Sequence, residues 1–288
     1  MKYSYALSPA LIGVSMVLVQ SQVALGLSAS AIEKIAQDIT VKIVNTQNST
    51  DSGSGILIKH SGNTYIVLTA YHVVKSGQKY QIFTPDGESN AIKSIQPLPQ
   101  TDLAVLEFSS SKTYNIAKIG NSDEATRTTT VYVAGFPTKT AAISNPDLFL
   151  NKGQVTANGA AQRDGYNIIY DNDTLKGMSG GAVLNEQGEL VAVHGRSDEQ
   201  AISEKSQSKI ITGIGTTIYS AARQMLALGI DLGVNLPTVN VAAASKADDF
   251  YIAANQKYLQ KDYRGAIADL NAALKINPNY ADAYINRG

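Results

Sequence analysis

Cysteine is absent from this chain of 288 residues, which excludes disulfide bonds and thiol nucleophiles. An excess of charge of one sign is also absent, because Lys+Arg and Asp+Glu each total 24. The positive potential that attracts a phosphate backbone is therefore missing, and nucleic acid is not predicted as a partner. Hydrophobic residues make up 44% of the chain, enough to bury a sizeable core in more than one domain.

The apolar run closest to the N terminus is too short to span a bilayer comfortably. It covers residues 10–19 (ALIGVSMVLV), follows the positive charge of Lys2 and has the length of a secretory signal. Ala24 and Gly26 stand two apart, which is the spacing of small residues that a signal peptidase requires. We therefore predict a signal peptide at residues 1–26 and an exported chain, secreted or periplasmic, with an uncleaved membrane anchor or a buried helix as the alternatives.

Short runs of β-branched and aromatic residues predict strands over most of the remaining length. Turn residues such as Ser61-Gly62-Asn63 separate these runs, and no rhythm of alternating strands and helices is found. A short helix is predicted at residues 30–37, and a second helix at 217–230 closes a β domain that spans residues 27–230. The predicted strands are ITVKIVN (39–45), SGILIKH (54–60), YIVLTA (65–70), YQIFTP (80–85), LAVLEF (103–108), TVYVAGF (130–136), YNIIYD (166–171), AVLNEQGELVAVHG (182–195) and KIITGIG (209–215).

The C-terminal residues have a helical pattern of their own. Residues 231–246 contain Pro237 and small residues without a clear period, which predicts a linker. The 34 residues that follow, 247–280, resemble one tetratricopeptide (TPR) repeat, and 281–288 begin a second copy. Such a repeat implies a protein partner, whereas the alternative is an ordinary helical hairpin packed on the β domain. The positions that match the packing residues and terminating proline of the repeat are Phe250, Ala254, Tyr263, Ala266, Leu270, Ala273 and Pro278.

A serine lies within a glycine-rich turn, Gly177-Met178-Ser179-Gly180-Gly181. Glycine on both sides allows the backbone to fold tightly around Ser179. Two backbone N–H groups, those of Gly177 and Ser179, can then point at a developing oxyanion. Because glycine-rich turns with serine are common, this motif alone is also consistent with a purely structural turn.

Two further runs supply the partners that a serine nucleophile needs. His72 ends an apolar strand in LTAYHVV (68–74), and Asp102 precedes another strand in TDLAVL (101–106). His72 would act as the general base that takes the proton of the Ser179 hydroxyl, and Asp102 would fix the imidazole tautomer. Each residue alone is more often structural, so the hypothesis depends on all three occurring together.

The runs TAYHVV, DLAVLEF and GMSGGAVLNEQGELVAV, in this order, resemble the three signature runs of trypsin-like (chymotrypsin-fold) serine peptidases. The resemblance covers roughly residues 30–230 and implies a mainly β fold of two six-stranded antiparallel barrels with the triad between them. It implies a catalytic triad of His72, Asp102 and Ser179, an oxyanion hole at Gly177 and Ser179, and peptide or protein substrates. No cofactor is implied, and no metal is predicted, because no cluster of His or carboxylates has metal-ligand spacing.

Two departures are typical of the bacterial members of that family. Met178 stands where digestive members carry an aspartate that pairs with a new N-terminal amine, so activation by that salt bridge is not expected. The disulfides of vertebrate members are missing too. The bacterial branch includes the glutamyl endopeptidases and the HtrA-type proteases, in which PDZ domains usually occupy the place that the TPR repeat takes here.

Primary specificity depends on three candidate substrate-binding residues. Thr174 and His194, five residues before and fifteen after Ser179, match the Thr and His with which glutamyl endopeptidases hold a substrate carboxylate. Asp173 lies six residues before Ser179, where trypsin-type pockets carry the acid that attracts Lys or Arg. Alternatively, Asp173 raises the pKa of His194 and keeps that histidine charged. A third possibility is that Asp173 is simply an exposed loop residue. Cleavage after Glu or Asp is the leading prediction, with basic or small apolar residues as alternatives.

The sequence therefore predicts an exported serine endopeptidase with a C-terminal TPR segment. The alternative function is that of a catalytically inactive protein of the same fold, which acts through its TPR segment as a protein-binding module.

Overall fold

The computed structural model describes residues 26–48, 52–77, 79–139, 147–159, 161, 163–201, 209–236, 247, 250, 251, 254, 257, 258, 261–278 and 280–287. Residues 1–25 of the predicted signal peptide lie outside the described residues, as does most of the predicted linker. The chain divides into two compact units, Met1–Leu232 and Gly233–Gly288. Within the described ranges, no helix is both long and apolar enough to cross a membrane.

The first unit is built mainly from antiparallel strands. Its described residues also form the helices α1 (Ala29–Ile39), α2 (Tyr71–Val74) and α3 (Ile218–Ala227) and a 3-10 turn at Arg163–Gly165. The strands are β1 (Thr40–Asn45), β2 (Ser52–Ser61), β3 (Thr64–Ala70), β4 (Tyr80–Phe83), β5 (Ser89–Ala91), β6 (Ser94–Pro97), β7 (Leu103–Ser109), β8 (Thr130–Gly135), β9 (Phe149–Asn158), β10 (Ile168–Tyr170), β11 (Ala182–Leu184), β12 (Leu190–Ala201) and β13 (Lys209–Thr217).

The first sheet has seven strands in the order β5-β4-β1-β2-β3-β7-β6, and the hydrogen bonds of the described residues leave β5 and β6 as its edges. Apolar residues alternate along β1, so that Val41 and Ile43 point to the same side and are fully buried. They share a core with Val67, Leu106 and other buried residues of the sheet. The sheet therefore packs around one hydrophobic core, and it contains two short strands, β5 and β6, in addition to the longer predicted ones.

The second sheet closes into a six-stranded barrel in the order β10-β13-β12-β11-β8-β9. Closure occurs because β9 pairs with β8 on one side and with β10 on the other. Val131, Val183 and Met178 are among the residues that fill the barrel. The predicted mainly β fold and one of its two six-stranded barrels are thus confirmed, whereas the first sheet has seven strands and forms a half-barrel.

Two helices flank the sheets where the sequence pattern placed them. Ser28 caps α1, because its hydroxyl accepts a hydrogen bond from the N–H of Ala31 at 3.2 Å. The buried residues of α1 are Ile32, Ala36 and Ile39. Ile32 and Ala36 belong to the apolar spacing of three and four on which the prediction for residues 30–37 depended, whereas Ile35, the third residue of that pattern, is only half-buried.

The second unit contains α4 (Tyr263–Ile276) and α5 (Ala281–Arg287). Asp262 caps α4, because its carboxylate accepts a hydrogen bond from the N–H of Gly265 at 3.0 Å. Four of the predicted packing residues lie in one cluster with Leu274 and Ala283: Ala254, Ala266, Leu270 and Ala273. The predictions for Phe250 and Tyr263 differ from the structure, since these side chains are 37% and 54% exposed. Repeats of this kind bury large side chains against neighbouring repeats, and a short helical unit cannot enclose them alone.

Candidate active site

The antiparallel pairing of β3 with β7 brings His72 and Asp102 together. Ala70, the last residue of β3, pairs with Leu103, the first residue of β7. His72, the second residue of α2, therefore lies beside Asp102, the residue that precedes β7. The His72 ring Nδ1 lies 2.5 Å from Asp102 Oδ2, and the His72 backbone N–H donates to Asp102 Oδ1 at 2.9 Å. Both carboxylate oxygens are bound by the same residue, so the imidazole has a fixed orientation.

The environment of Asp102 keeps its carboxyl group ionised. Burial opposes the charge, but hydrogen bonds from His72 and Tyr166 outweigh that effect, and the pKa of Asp102 is lowered. A carboxylate at this place holds the proton of the imidazole on Nδ1, which leaves Nε2 able to accept one.

Ser179 lies in the turn between β10 and β11, next to the end of β3. Its carbonyl accepts a hydrogen bond from the N–H of Ser54 in β2 at 2.8 Å. The following residue, Gly180, has a φ of 84° and no room for a side chain, because a Cβ there would collide with the Ser54 carbonyl and the Thr69 hydroxyl. In the described contacts no hydrogen bond joins the Ser179 hydroxyl to His72, so the structure brings Asp102 and His72 into direct contact and Ser179 only into the same region.

The peptide units around Ser179 point their N–H groups away from internal acceptors. The carbonyl of Lys176 accepts a hydrogen bond from the N–H of Thr138 at 2.7 Å, and that of Met178 accepts one from the N–H of Gly181 at 2.9 Å. In a trans peptide the C=O and N–H point in opposite directions, so these two bonds orient the N–H groups of Gly177 and Ser179. Neither N–H donates to an acceptor among the described residues. Both are available to a developing oxyanion.

Ser54 is a further residue of this site, and none of the sequence motifs predicts it. Its buried hydroxyl donates to the carbonyl of Gly177 at 2.9 Å and accepts from the N–H of Phe136 at 2.8 Å. Its neighbours Gly53 and Gly55 have no space for a Cβ against Val73 and Val67. The run SGSG at residues 52–55 was the available signal, since small residues in a strand often mark a close backbone approach.

The three predicted substrate-binding residues differ in their exposure to solvent. Asp173 is exposed, whereas Thr174 is buried with its hydroxyl 2.5 Å from that of Ser197. His194 is buried, and its Nδ1 lies 2.7 Å from the hydroxyl of Tyr170. Burial and the nearby His72 lower the pKa of His194 to about 3. The expectation that Asp173 keeps His194 charged is therefore wrong, because the cost of burying the imidazolium dominates.

Two segments of the chain match known protein families. Residues 53–193 match the family model of the trypsin-like peptidase domain, and residues 254–288 match that of the TPR repeat. These matches cover the predicted triad and the C-terminal helices respectively.

Curated relatives of the chain are bacterial serine proteases. The chain is 28% identical over 221 residues to the serine protease Do-like HtrA of Bacillus subtilis, an alignment that covers 74% of this chain and 44% of that protein. It is 32% identical over 152 residues to the periplasmic pH-dependent serine endoprotease DegQ of Escherichia coli, covering 49% of this chain and 30% of the relative. The chain thus spans less than half the length of these relatives.

Solved structures have the same fold. The serine endoprotease from Yersinia pestis superposes with a TM-score of 0.55 and 21% identity, over 70% of this chain and 66% of that one. The HtrA-type protease AlgW, in its S227A form with a decapeptide, gives a TM-score of 0.54 and 18% identity, over 70% and 67% of the two chains. Residues 53–193 are therefore similar in sequence to trypsin-like peptidase domains and residues 254–288 to TPR repeats, and the solved structures share the fold.

Proposed function

We propose that this protein is a serine endopeptidase that hydrolyses peptide bonds of proteins through an acyl-enzyme intermediate. The observation that carries the proposal is the contact of His72 with Asp102, together with two backbone N–H groups without acceptors at the Ser179 turn. This set supplies a base, its orienting group, a nucleophile and an oxyanion site, which are the parts that acyl transfer needs.

The proposed reaction begins when the Ser179 hydroxyl oxygen attacks the carbonyl carbon of the substrate. His72 takes the hydroxyl proton on Nε2 and then donates it to the nitrogen of the leaving amine as the C–N bond breaks. Asp102 stabilises the imidazolium formed between these steps. The N–H groups of Gly177 and Ser179 donate to the oxyanion. A water molecule, deprotonated by His72, then releases the acyl group from Ser179 and restores the hydroxyl.

The cellular context proposed for this reaction follows from the relatives and the C-terminal unit. We propose export to the periplasm or the exterior after removal of residues 1–26, since relatives of the chain are described as periplasmic. The predicted domains are a peptidase domain at 27–230, a linker at 231–246 and a TPR segment at 247–288. The TPR segment is proposed to hold a protein partner, because repeats of this type present helical surfaces to other chains.

A preference for Glu or Asp before the cleaved bond remains the proposed specificity. Thr174 lies in the same connection as Ser179, His194 lies in β12, and the His194 carbonyl accepts the N–H of Gly180 at 2.7 Å. Because His194 is neutral, it would act as a hydrogen-bond donor through Nε2, with Nδ1 accepting from Tyr170. If His194→Ala cleaves a defined peptide mixture with an unchanged preference for acidic residues, the acidic-pocket hypothesis fails.

Covalent labelling tests the proposed activity directly. A serine-directed phosphonate should add one adduct to the full chain, and peptide mass mapping should place it on Ser179. Ser179→Ala, which keeps the fold, should remain unlabelled and should not digest casein. Absence of the adduct in a folded wild-type chain, or its placement on another serine, would favour the inactive TPR-binding protein instead.

A further inference from the structure

The hydroxyl of Tyr166 binds the same Asp102 oxygen that faces the His72 imidazole. Tyr166 follows the 3-10 turn before β10 and is 4% exposed. Its hydroxyl donates to Asp102 Oδ2 at 2.5 Å, the same oxygen that lies 2.5 Å from His72 Nδ1. Two donors thus converge on one carboxylate oxygen.

The surrounding chain is shaped around the Tyr166 ring. Gly195 in β12 lies against it, and a Cβ at that position would collide with the ring. The Gly195 position therefore requires glycine for as long as the tyrosine occupies this space. Burial, together with Asp102, raises the pKa of Tyr166, so its hydroxyl stays protonated and remains a donor at neutral pH.

Arg196 completes the cluster from the next position of β12. Its guanidinium lies over the Tyr166 ring at 5.2 Å, and its Nε donates to the Tyr166 hydroxyl at 3.2 Å. A terminal nitrogen lies 3.0 Å from Asp164 Oδ2 and 3.5 Å from Asp102 Oδ2. Asp164 in turn binds the backbone of the triad residue, because its carbonyl accepts the N–H of Asp102 at 2.8 Å.

We propose that Tyr166, held by Arg196, is a positioning residue that fixes the Asp102 carboxylate and limits the negative charge it presents to His72. This inference rests on the proposed function, and it adds to it a residue that acts on His72 through the Asp102 carboxylate. Neither residue touches the substrate carbonyl in the proposed reaction, and both act through Asp102.

The sign of the effect follows from the charges around Asp102. The groups facing it are His72, Tyr166, Arg196 and Asp164, and Tyr170 is the further titratable neighbour of Tyr166. Donation from Tyr166 and the positive charge of Arg196 both draw negative charge away from the His72 contact. Removing either one strengthens the hold of Asp102 on imidazolium, so the base should lose its proton at a higher pH.

The test uses the full chain and its kcat/KM for a peptide substrate as a function of pH. Tyr166→Phe keeps the ring and removes the hydroxyl. We expect the acidic limb of the profile to move up by about half a pH unit or more, the plateau to fall by roughly 3- to 30-fold through looser positioning, and KM to stay nearly constant. Tyr65→Phe is the matched control, because Tyr65 is also buried and its hydroxyl also bonds to the chain, at the Lys112 carbonyl 3.0 Å away. That control should lose stability without moving the profile.

A second variant, Arg196→Gln, tests the proposal even if Tyr166→Phe does not fold. Arg196 is 46% exposed at its side chain, so Arg196→Gln should fold, and we expect its acidic limb to move in the same direction. Because this charge faces solvent, the shift should shrink at high salt. The double variant should shift less than the sum of the two single variants, since both act on one carboxylate.

Nuclear magnetic resonance of the His72 ring separates failure of this inference from failure of the proposed function. If the chain proves inactive, titration of the His72 imidazole still reports its proton affinity in each variant. A shift of that titration in Tyr166→Phe supports the positioning role. Unchanged His72 titrations and unchanged pH profiles in folded Tyr166→Phe and Arg196→Gln overturn it, whether or not the wild-type chain cleaves peptides.

Discussion

Asp102→Asn should lower kcat for peptide hydrolysis by about 10⁴-fold at neutral pH while leaving KM nearly unchanged. Asn has an NH₂ group in place of one carboxylate oxygen. In the structure, three donors point at the Asp102 side chain: the His72 ring, the His72 backbone N–H and the Tyr166 hydroxyl. One of them must face another donor, or the imidazole must change tautomer and present a protonated Nε2 to Ser179. Steady-state kinetics at several pH values measure the loss.

Asp86→Asn is the matched control for this prediction. Asp86 also accepts several hydrogen bonds, among them those from Lys112 at 2.7 Å and Thr84 at 2.7 Å, but it lies in the turn between β4 and β5. Its loss should affect stability rather than turnover. A kcat within tenfold of wild type for a folded Asp102→Asn variant would contradict the assigned role of Asp102.

Gly180→Ala should destabilise the first unit by more than about 3 kcal/mol and abolish peptide cleavage. Gly180 has a φ of 84°, and its missing Cβ would lie against the Ser54 carbonyl, the Thr69 hydroxyl and the Ala70 backbone nitrogen. Backbone atoms of this kind cannot rotate away as a flexible side chain can. Relief of the clash requires the Ser179 turn to separate from β2 and β3, which moves the nucleophile away from the imidazole. Denaturant unfolding and peptide hydrolysis measure the two effects.

Gly62→Ala separates the clash from the cost of the backbone angle. Gly62 also has a positive φ, 54°, but a Cβ there would meet nothing within 4 Å. The free energy of unfolding of this variant should fall by only about 1–2 kcal/mol, and its activity should stay unchanged, because the left-handed backbone conformation is the only unfavourable term. Equal losses in the two glycine variants would mean that close packing around Ser179 is unimportant.

The strands and the approximate site could be predicted because their signals are local. Alternating apolar residues define β1, a continuous apolar run defines β3, and glycines on both sides of Ser179 mark a tight turn in five consecutive residues. His72 and Asp102 each stand at the end of a strand, so pairing of β3 with β7 is enough to bring them together. Helix α1 was predictable for the same reason, from the period of its buried residues.

Contacts between distant residues could not be predicted. Tyr166 lies 64 residues from Asp102, and Ser54 lies 123 residues from Gly177, so no local pattern announces either hydrogen bond. The prediction that Asp173 keeps His194 charged was wrong for a related reason. The pKa of His194 depends on complete burial, which only the closed barrel creates. Phe250 and Tyr263 fit the repeat pattern in sequence, yet burial of such residues depends on what packs beside them.

The hydrogen bonds of the Ser54 hydroxyl link the geometry around Ser179 to the folding of both sheets. Ser54 belongs to β2, whereas the groups that it binds, Gly177 and Phe136, belong to connections of the closed barrel. A newly made chain in which only the barrel has formed would lack the bond that holds the Gly177 carbonyl. Under the proposed function, peptidase activity would therefore require that both sheets are folded. Partly folded chains would then not cleave one another.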